Sequence, residues 1–187
     1  MPRVLVPLAE GFEEMEGIII LDVLRRAGIE SVSAGLQDGP IKASRGTLHL
    51  ADTTIEAAEA QDWDMIVLPG GLPGATHLEQ HPVVGRILEK MEAADKPIGA
   101  ICAAPNVLRN LKILQPGEEF TVFPGNEGKA EGGIHKPERV VRSGNITTSI
   151  GPGSTFEFAL DIVEQLLGAD ARAKTAGPLQ LPAGMTN

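Results

Sequence analysis

The sequence predicts an α/β domain built on a mostly parallel sheet. Two observations carry this. Short, continuous apolar runs recur along the chain, as strands covered on both faces require, and they alternate with amphipathic stretches long enough to be helical crossovers. Glycine and proline mark the junctions. The chain has 187 residues, 42% apolar and 22% charged, which suffices for one packed core, so it reads as a single domain over 1–187.

The first apolar run, RVLVPLA at 3–9, is bounded by Glu10-Gly11 and reads as a buried strand. From 13 to 27 the period becomes helical: Ile19, Ile20, Val23, Leu24 and Ala27 fall on one stripe, and Gly28 closes the helix. A second strand follows over 29–36. Residues 41–50, with Ser44-Arg45-Gly46 in their middle, predict a pair of short strands or a hairpin. The run DMIVL at 64–68 ends in the glycine-rich turn PGGLPG. A helix over 82–94 precedes a strand at 97–101, which passes through Cys102 into a helical stretch at 105–111. Further strands are expected at 118–123 and 140–150, the latter broken by a turn at Ser143-Gly144-Asn145. An amphipathic helix over 154–167 is closed by Gly168. Residues 177–187, rich in proline and glycine, are expected to lie loosely on the surface. No internal repeat, low-complexity segment or linker interrupts this pattern.

Composition excludes several functions. A formal net charge of -9 leaves no basic face to neutralise phosphates, which argues against nucleic acid as the main ligand. The opening MPRVLVPLAEG has too short an apolar run for a signal peptide or a membrane span, so a cytoplasmic location without membrane partners is expected. The single cysteine permits neither an internal disulfide nor a metal site of several thiolates.

That cysteine sits in GAICAAP, where a strand turns sharply into a helix. A nucleophile elbow holds its side chain in such a turn, and small neighbours, here Ala100 and Ala104, are what the turn demands. Pro105 fits the first helical position. A thiol at a helix start is expected to have a lowered pKa. The competing explanation is packing, because free cysteine is often buried as a small hydrophobe.

Glu16 is the second unusual residue, since it shares the apolar stripe of Ile20, Val23 and Ala27. A carboxyl that faces a core needs a partner or must hold its proton. Helix-start electrostatics accounts for Glu14, which points outward; Glu13, at the frayed end, is expected to reach water. Glu16 could donate a hydrogen bond to a thiolate or pass protons as a general acid and base, titrating as a unit with Cys102. Gly70 and Gly71 let backbone N–H groups approach a ligand and, with the N–H of Ala103, suit an oxyanion hole. The glycines do not form a dinucleotide fingerprint and no phosphate-loop lysine follows, so no cofactor is expected. His77 and His81 lack the glutamate of a zinc-protease helix and read as a surface loop; no metal site is expected.

EGFEEMEGIIILDVLRRAGI at 10–29, SRG at 44–46, DMIVLPGGLPGA at 64–75, AICAAP at 100–105 and GPGSTFEFAL at 151–160 together resemble the DJ-1/PfpI (ThiJ) superfamily, in its DJ-1-like branch. The resemblance implies a flavodoxin-like sandwich, a homodimer, Cys102 as the nucleophilic and oxidisable cysteine and Glu16 as its carboxyl partner. It also implies backbone N–H groups from Gly70, Gly71 and Ala103, with Arg45, Arg25 and Pro152 at the site or dimer boundary. One departure matters. Many members carry a histidine where this chain has Phe123, and without a Cys-His pair proteolysis loses its base; only His135, if its loop folded back, could stand in.

Two functions follow as expectations. One is a cofactor-free glyoxalase or deglycase in which Cys102 attacks a small dicarbonyl such as methylglyoxal and Glu16 moves the proton. The other is a redox-responsive stress or chaperone protein whose Cys102 is oxidised to sulfinic acid.

Overall fold

A computed structural model describes residues 1–182 and 184. In chain order the elements are β1 Arg3–Leu8, α1 Glu14–Arg26, β2 Glu30–Gly35, β3 Ile41–Lys42, β4 Leu48–His49, β5 Thr53–Thr54, α2 Ile55–Glu59, β6 Met65–Leu68, α3 Gly74–Gln80, α4 Pro82–Ala93 and β7 Ile98–Ile101. There follow α5 Pro105–Asn110, β8 Glu119–Phe120, β9 Ile134–His135, β10 Val140–Ser143, β11 Ile146–Ser149, α6 Thr155–Leu167 and α7 Ala169–Leu179.

The main sheet has seven strands in the order β10-β11-β7-β6-β1-β2-β5, parallel except for the β10–β11 hairpin. Its inner parallel strands β2-β1-β6-β7-β11 reproduce the flavodoxin-like 2-1-3-4-5 order, the doubly wound α/β arrangement expected from the alternation of runs and helices.

Alternation along each strand divides the core in two. Leu5, Ile66, Leu68, Ile98 and Ala100 face the layer formed with α2 to α5, whereas Val4, Val6, Met65, Val67 and Ile101 face α1, α6 and α7. Both faces are covered, which is why the strands read as unbroken apolar runs. Gly99 lies under Phe158 of α6: a Cβ there would stand 3.1 Å from the ring. Ile41↔His49 pairing confirms the hairpin around Ser44-Arg45-Gly46.

Several expectations need correction. Residues 77–81 are not a surface loop: His77 belongs to α3, with its Nδ1 donating to the Glu10 carbonyl at 2.9 Å, and His81 joins α3 to α4. The expected strand at 118–123 is reduced to Glu119–Phe120. Residues 177–179 end α7 rather than starting a loose tail, and Leu179 and Leu181 pack against the α1/α6 layer. Of that expected tail, 183 and 185–187 lie outside the described residues. No helix is long and apolar enough to cross a membrane among the described residues.

Candidate active site

Three loops meet at the carboxyl edge of the sheet, after β1, β6 and β7, beside the point where strand order reverses. That crevice is where doubly wound sheets bind ligands. Cys102 follows β7 directly and has φ +63°, the left-handed region that a non-glycine residue adopts only when its surroundings insist. Its surroundings do. The Cys102 N–H donates to the Ser149 carbonyl at 2.9 Å, and its own carbonyl accepts the Phe123 N–H at 2.9 Å. The strained residue is thus pinned from β11 on one side and from the loop after β8 on the other.

Glu16 reaches the same point from the first turn of α1 and is fully buried. Its Oε2 accepts the Gly70 N–H at 2.8 Å. Its Oε1 is buried without a hydrogen-bond partner, and the Cys102 thiol lies close enough to influence the carboxyl. An orphaned buried carboxylate oxygen is costly, and a proton on it removes the cost. Burial accordingly raises the Glu16 carboxyl from the usual 4.5 to about 7, against the pull of the Gly70 N–H.

The same environment overturns the expected lowering of the thiol. Burial, and then the charge of Glu16, pushes Cys102 up to about 12, although the Gly71 and Ala103 N–H groups pull the other way. Cys102 is only 9% exposed and helix α5 has only six residues, so its end cannot outweigh desolvation and a neighbouring carboxylate. Two protons therefore bind this pair at low pH and one is lost near neutrality, wherever the remaining one sits.

A cavity of about 730 Å³ opens on this pair, lined by Cys102, Ala103, Gly71, Leu72, Glu13, Glu14, Met15, Ser44, Arg45, Thr47, Phe123, Asn126, Lys129 and Pro152. Arg45 and Pro152 line this cavity. Arg25 lies away from it: it is hydrogen-bonded to Asp52 at 2.6 Å and to the Ser31 carbonyl, beside a separate cavity that Ile18 and Leu50 also line. His135 sits in β9 with its ring 5.6 Å from that of Phe120 and does not line the thiol cavity, whose wall has Phe123 instead. Gly70 cannot serve an oxyanion, because its N–H is committed to Glu16; Gly71 and Ala103 remain for that role.

Other contributors were not expected at the site. Glu13 is buried rather than wet, and its carboxylate caps α1 by accepting the Glu16 N–H at 2.9 Å, fixing the catalytic candidate's backbone. Glu14 points across to the β3–β4 turn, accepting from Ser44 Oγ, the Arg45 N–H and Thr47 Oγ1. Asn126 and Lys129 come from a loop 24 to 27 residues beyond Cys102, and nothing local marks them.

A family model described as DJ-1/PfpI matches residues 2–165. The chain belongs to the DJ-1/PfpI family. It is 44% identical over 184 residues to the Parkinson disease protein 7 homolog of Danio rerio, covering 96% of this chain and 97% of that one. A glutathione-independent glyoxalase, DJR-1.2 of Caenorhabditis elegans, is 37% identical over 174 residues, covering 92% of each. The crystal structure of Drosophila melanogaster DJ-1beta superposes with a TM-score of 0.94 at 38% identity, covering 97% of this chain and 98% of that one. The Drosophila protein therefore shares nearly the whole fold described above.

The glycines of the second loop make a sharp prediction. Gly71 has φ +89°, and a Cβ on it would collide with the Glu13 N and stand 2.6 Å from the Gly11 carbonyl oxygen, both backbone atoms that cannot rotate away. Gly71→Ala should cost about 2–5 kcal/mol in denaturant unfolding from strain and overpacking together. Gly85→Ala, in α4 with open space around it, should instead be neutral or stabilising by about 0.5–1 kcal/mol. Equal effects of the two would contradict this reading of the loop.

Proposed function

We propose that this protein is a cofactor-free glyoxalase or deglycase for methylglyoxal-type dicarbonyls or their adducts, with Cys102 as nucleophile and Glu16 as general acid and base. One observation carries the reading. A strained cysteine lines an open cavity beside a carboxyl group whose unpartnered buried oxygen is suited to holding and releasing a proton near neutral pH. The glyoxalase among the relatives supports the same chemistry.

In this scheme the sulfur attacks the aldehyde carbon of the dicarbonyl and the thiol proton passes by way of Glu16 to the carbonyl oxygen, giving a hemithioacetal. Glu16, again a carboxylate, takes the proton from the former aldehyde carbon. The electron pair moves to the neighbouring carbonyl, whose oxygen takes a proton from water, and an enediol results. Reprotonation of that second carbon by Glu16, with the hydroxyl proton on the first returned to the hydroxide so formed, yields a lactoyl thioester. Water then hydrolyses the thioester to lactate and the free thiol. The sum is one dicarbonyl plus one water giving one hydroxy acid, an internal redox exchange that needs no external oxidant. The Gly71 and Ala103 N–H groups would bear the negative charge that develops on sulfur or oxygen. With Phe123 on the wall, no imidazole is available for the leaving amine of a peptide.

Lactate formed from methylglyoxal by the purified protein, beside Cys102→Ala and Glu16→Gln, tests the proposal. Turnover by the wild type alone supports it; lactate no higher than in either variant would replace it with the oxidation-sensing role. A homodimer is part of the same reading. Met15, Ile18, Leu48 and Leu50, on α1 and on and just after the β3–β4 hairpin, are 53%, 41%, 68% and 75% exposed, the kind of apolar side chains that an interface covers. Sedimentation equilibrium should give twice the chain mass for the wild type and the monomer mass for Leu48→Asp/Leu50→Asp; a monomeric wild type would refute it. The lone cysteine supports a reducing, cytoplasmic setting.

A further inference from the structure

Arg109, on the helix that follows the elbow, is only 5% exposed and has no carboxylate within ion-pair distance among the described residues. Leucine would fill that place without the cost of burying a guanidinium unpaired with any anion. What the arginine holds is backbone. Its Nε donates to the Gly132 carbonyl at 2.7 Å, its Nη1 to Asn106 Oδ1 at 2.7 Å and to the Glu127 carbonyl at 2.9 Å, and its Nη2 to the Ala130 carbonyl. Asn106 extends the grip by donating from Nδ2 to the Asn126 carbonyl at 3.0 Å, and the guanidinium lies 4.3 Å from the centroid of the Phe120 ring.

The segment so held, PGNEGKAEGG at 124–133, has four glycines in ten residues and only one turn of 3₁₀ helix, Glu127–Lys129. Gly125, Gly132 and Gly133 have φ of +87°, +92° and +76°. Such a sequence orders itself poorly, since glycine loses the most freedom on folding. Yet it carries Asn126 and Lys129 on the wall of the thiol cavity, directly after Phe123. A planar fork is the side chain that can bind several carbonyls in one geometry; a lysine cannot.

We infer that Arg109 is a positioning residue: its guanidinium replaces secondary structure in the segment 124–133 and so fixes the cavity wall that limits the size of molecules able to reach Cys102. The inference rests on Cys102 as the reacting atom of this cavity, but not on turnover. Because the chain has one cysteine, alkylation reports that atom alone.

The test compares the rate at which Cys102 reacts with iodoacetamide, a small reagent, and with a bulky aryl maleimide, in wild type, Arg109→Leu and Arg109→Lys, together with hydrogen exchange of the folded proteins. Loosening the wall should raise the maleimide rate about 10-fold while changing the iodoacetamide rate less than about 2-fold, with faster exchange confined to 124–133. Arg109→Lys keeps the charge and most of the stem, so it carries the test if Arg109→Leu does not fold. A merely structural arginine would change both rates together and quicken exchange in β7 and α5 as well; that result, or an unchanged rate ratio, overturns the inference. Absence of lactate formation in the wild type would refute the glyoxalase reading and leave this comparison intact.

Discussion

Glu16→Gln should lower the rate of lactate formation from methylglyoxal by about 10²–10⁴, the usual share of a positioned proton-transfer group. The substitution is nearly isosteric at a fully buried position, and the new amide oxygen can still accept the Gly70 N–H that Glu16 Oε2 accepts now. The elbow, whose strain is held by Ser149 and Phe123, does not depend on the carboxyl. What is lost is the proton. An amide neither takes the thiol proton nor removes the hydrogen from the hemithioacetal carbon, so every proton step must recruit water instead. Steady-state rates, with the unfolding midpoint as control, check this; a variant within tenfold of the wild type would remove Glu16 from the mechanism.

The second large effect is on stability. The Glu16 carboxyl titrates near 4.5 when unfolded and at about 7 when folded, because burial disfavours its charge. The folded state therefore binds this proton more tightly, and the stability it contributes is fully present below about pH 4.5 and lost as pH rises through about 7. At about 1.4 kcal/mol per pKa unit the loss amounts to about 3 kcal/mol. The thiol, whose pKa rises from 9.0 to about 12, contributes in the same sense only above pH 9. Lowered carboxyls such as Asp52, held down by Ser33 and Arg25 despite partial burial, act in the opposite sense in acid, so wild type alone would show a mixture. The difference in unfolding free energy between wild type and Glu16→Gln cancels them. That difference should move by about 3 kcal/mol against the wild type between pH about 4 and about 8. A constant difference would mean that Glu16 is not buried as a titrating acid.

The fold could be read from the chain where burial is two-sided and local. Strands β1, β6 and β7 stand out because both their faces are apolar, and Glu16 stands out because a carboxylate interrupts the apolar stripe of α1. Cys102 is visible through the small residues a tight elbow demands. The rest depends on contacts that only the assembled chain supplies. Helix α3 is hidden because its first turn, Gly74-Ala75-Thr76-His77, carries weak helix formers and one apolar residue. In α7 only Thr175 and Ala176 are buried and Gly177-Pro178 reads as a breaker, so packing on α6 decides its helicity. The thiol was expected low because a helix begins beside it, yet desolvation and the Glu16 carboxylate, which tertiary packing brings close, dominate. Arg25 is held by Asp52 from 27 residues away, a pairing that nothing local in the sequence marks. Arg109 gives no sequence signal at all, since its partners are carbonyl groups and every residue has one.

Cys102 and Glu16 act, on this account, as one unit that works after losing a single proton. The pH dependence of kcat/KM for methylglyoxal tests that most directly, because it reports the ionisation of the free enzyme. The account predicts a rate that rises with pH by one proton with a midpoint of about 7, and a rise that is absent from the residual activity of Glu16→Gln. A profile flat from about pH 5 to about pH 9, or a midpoint at the ordinary carboxylate value, would contradict it.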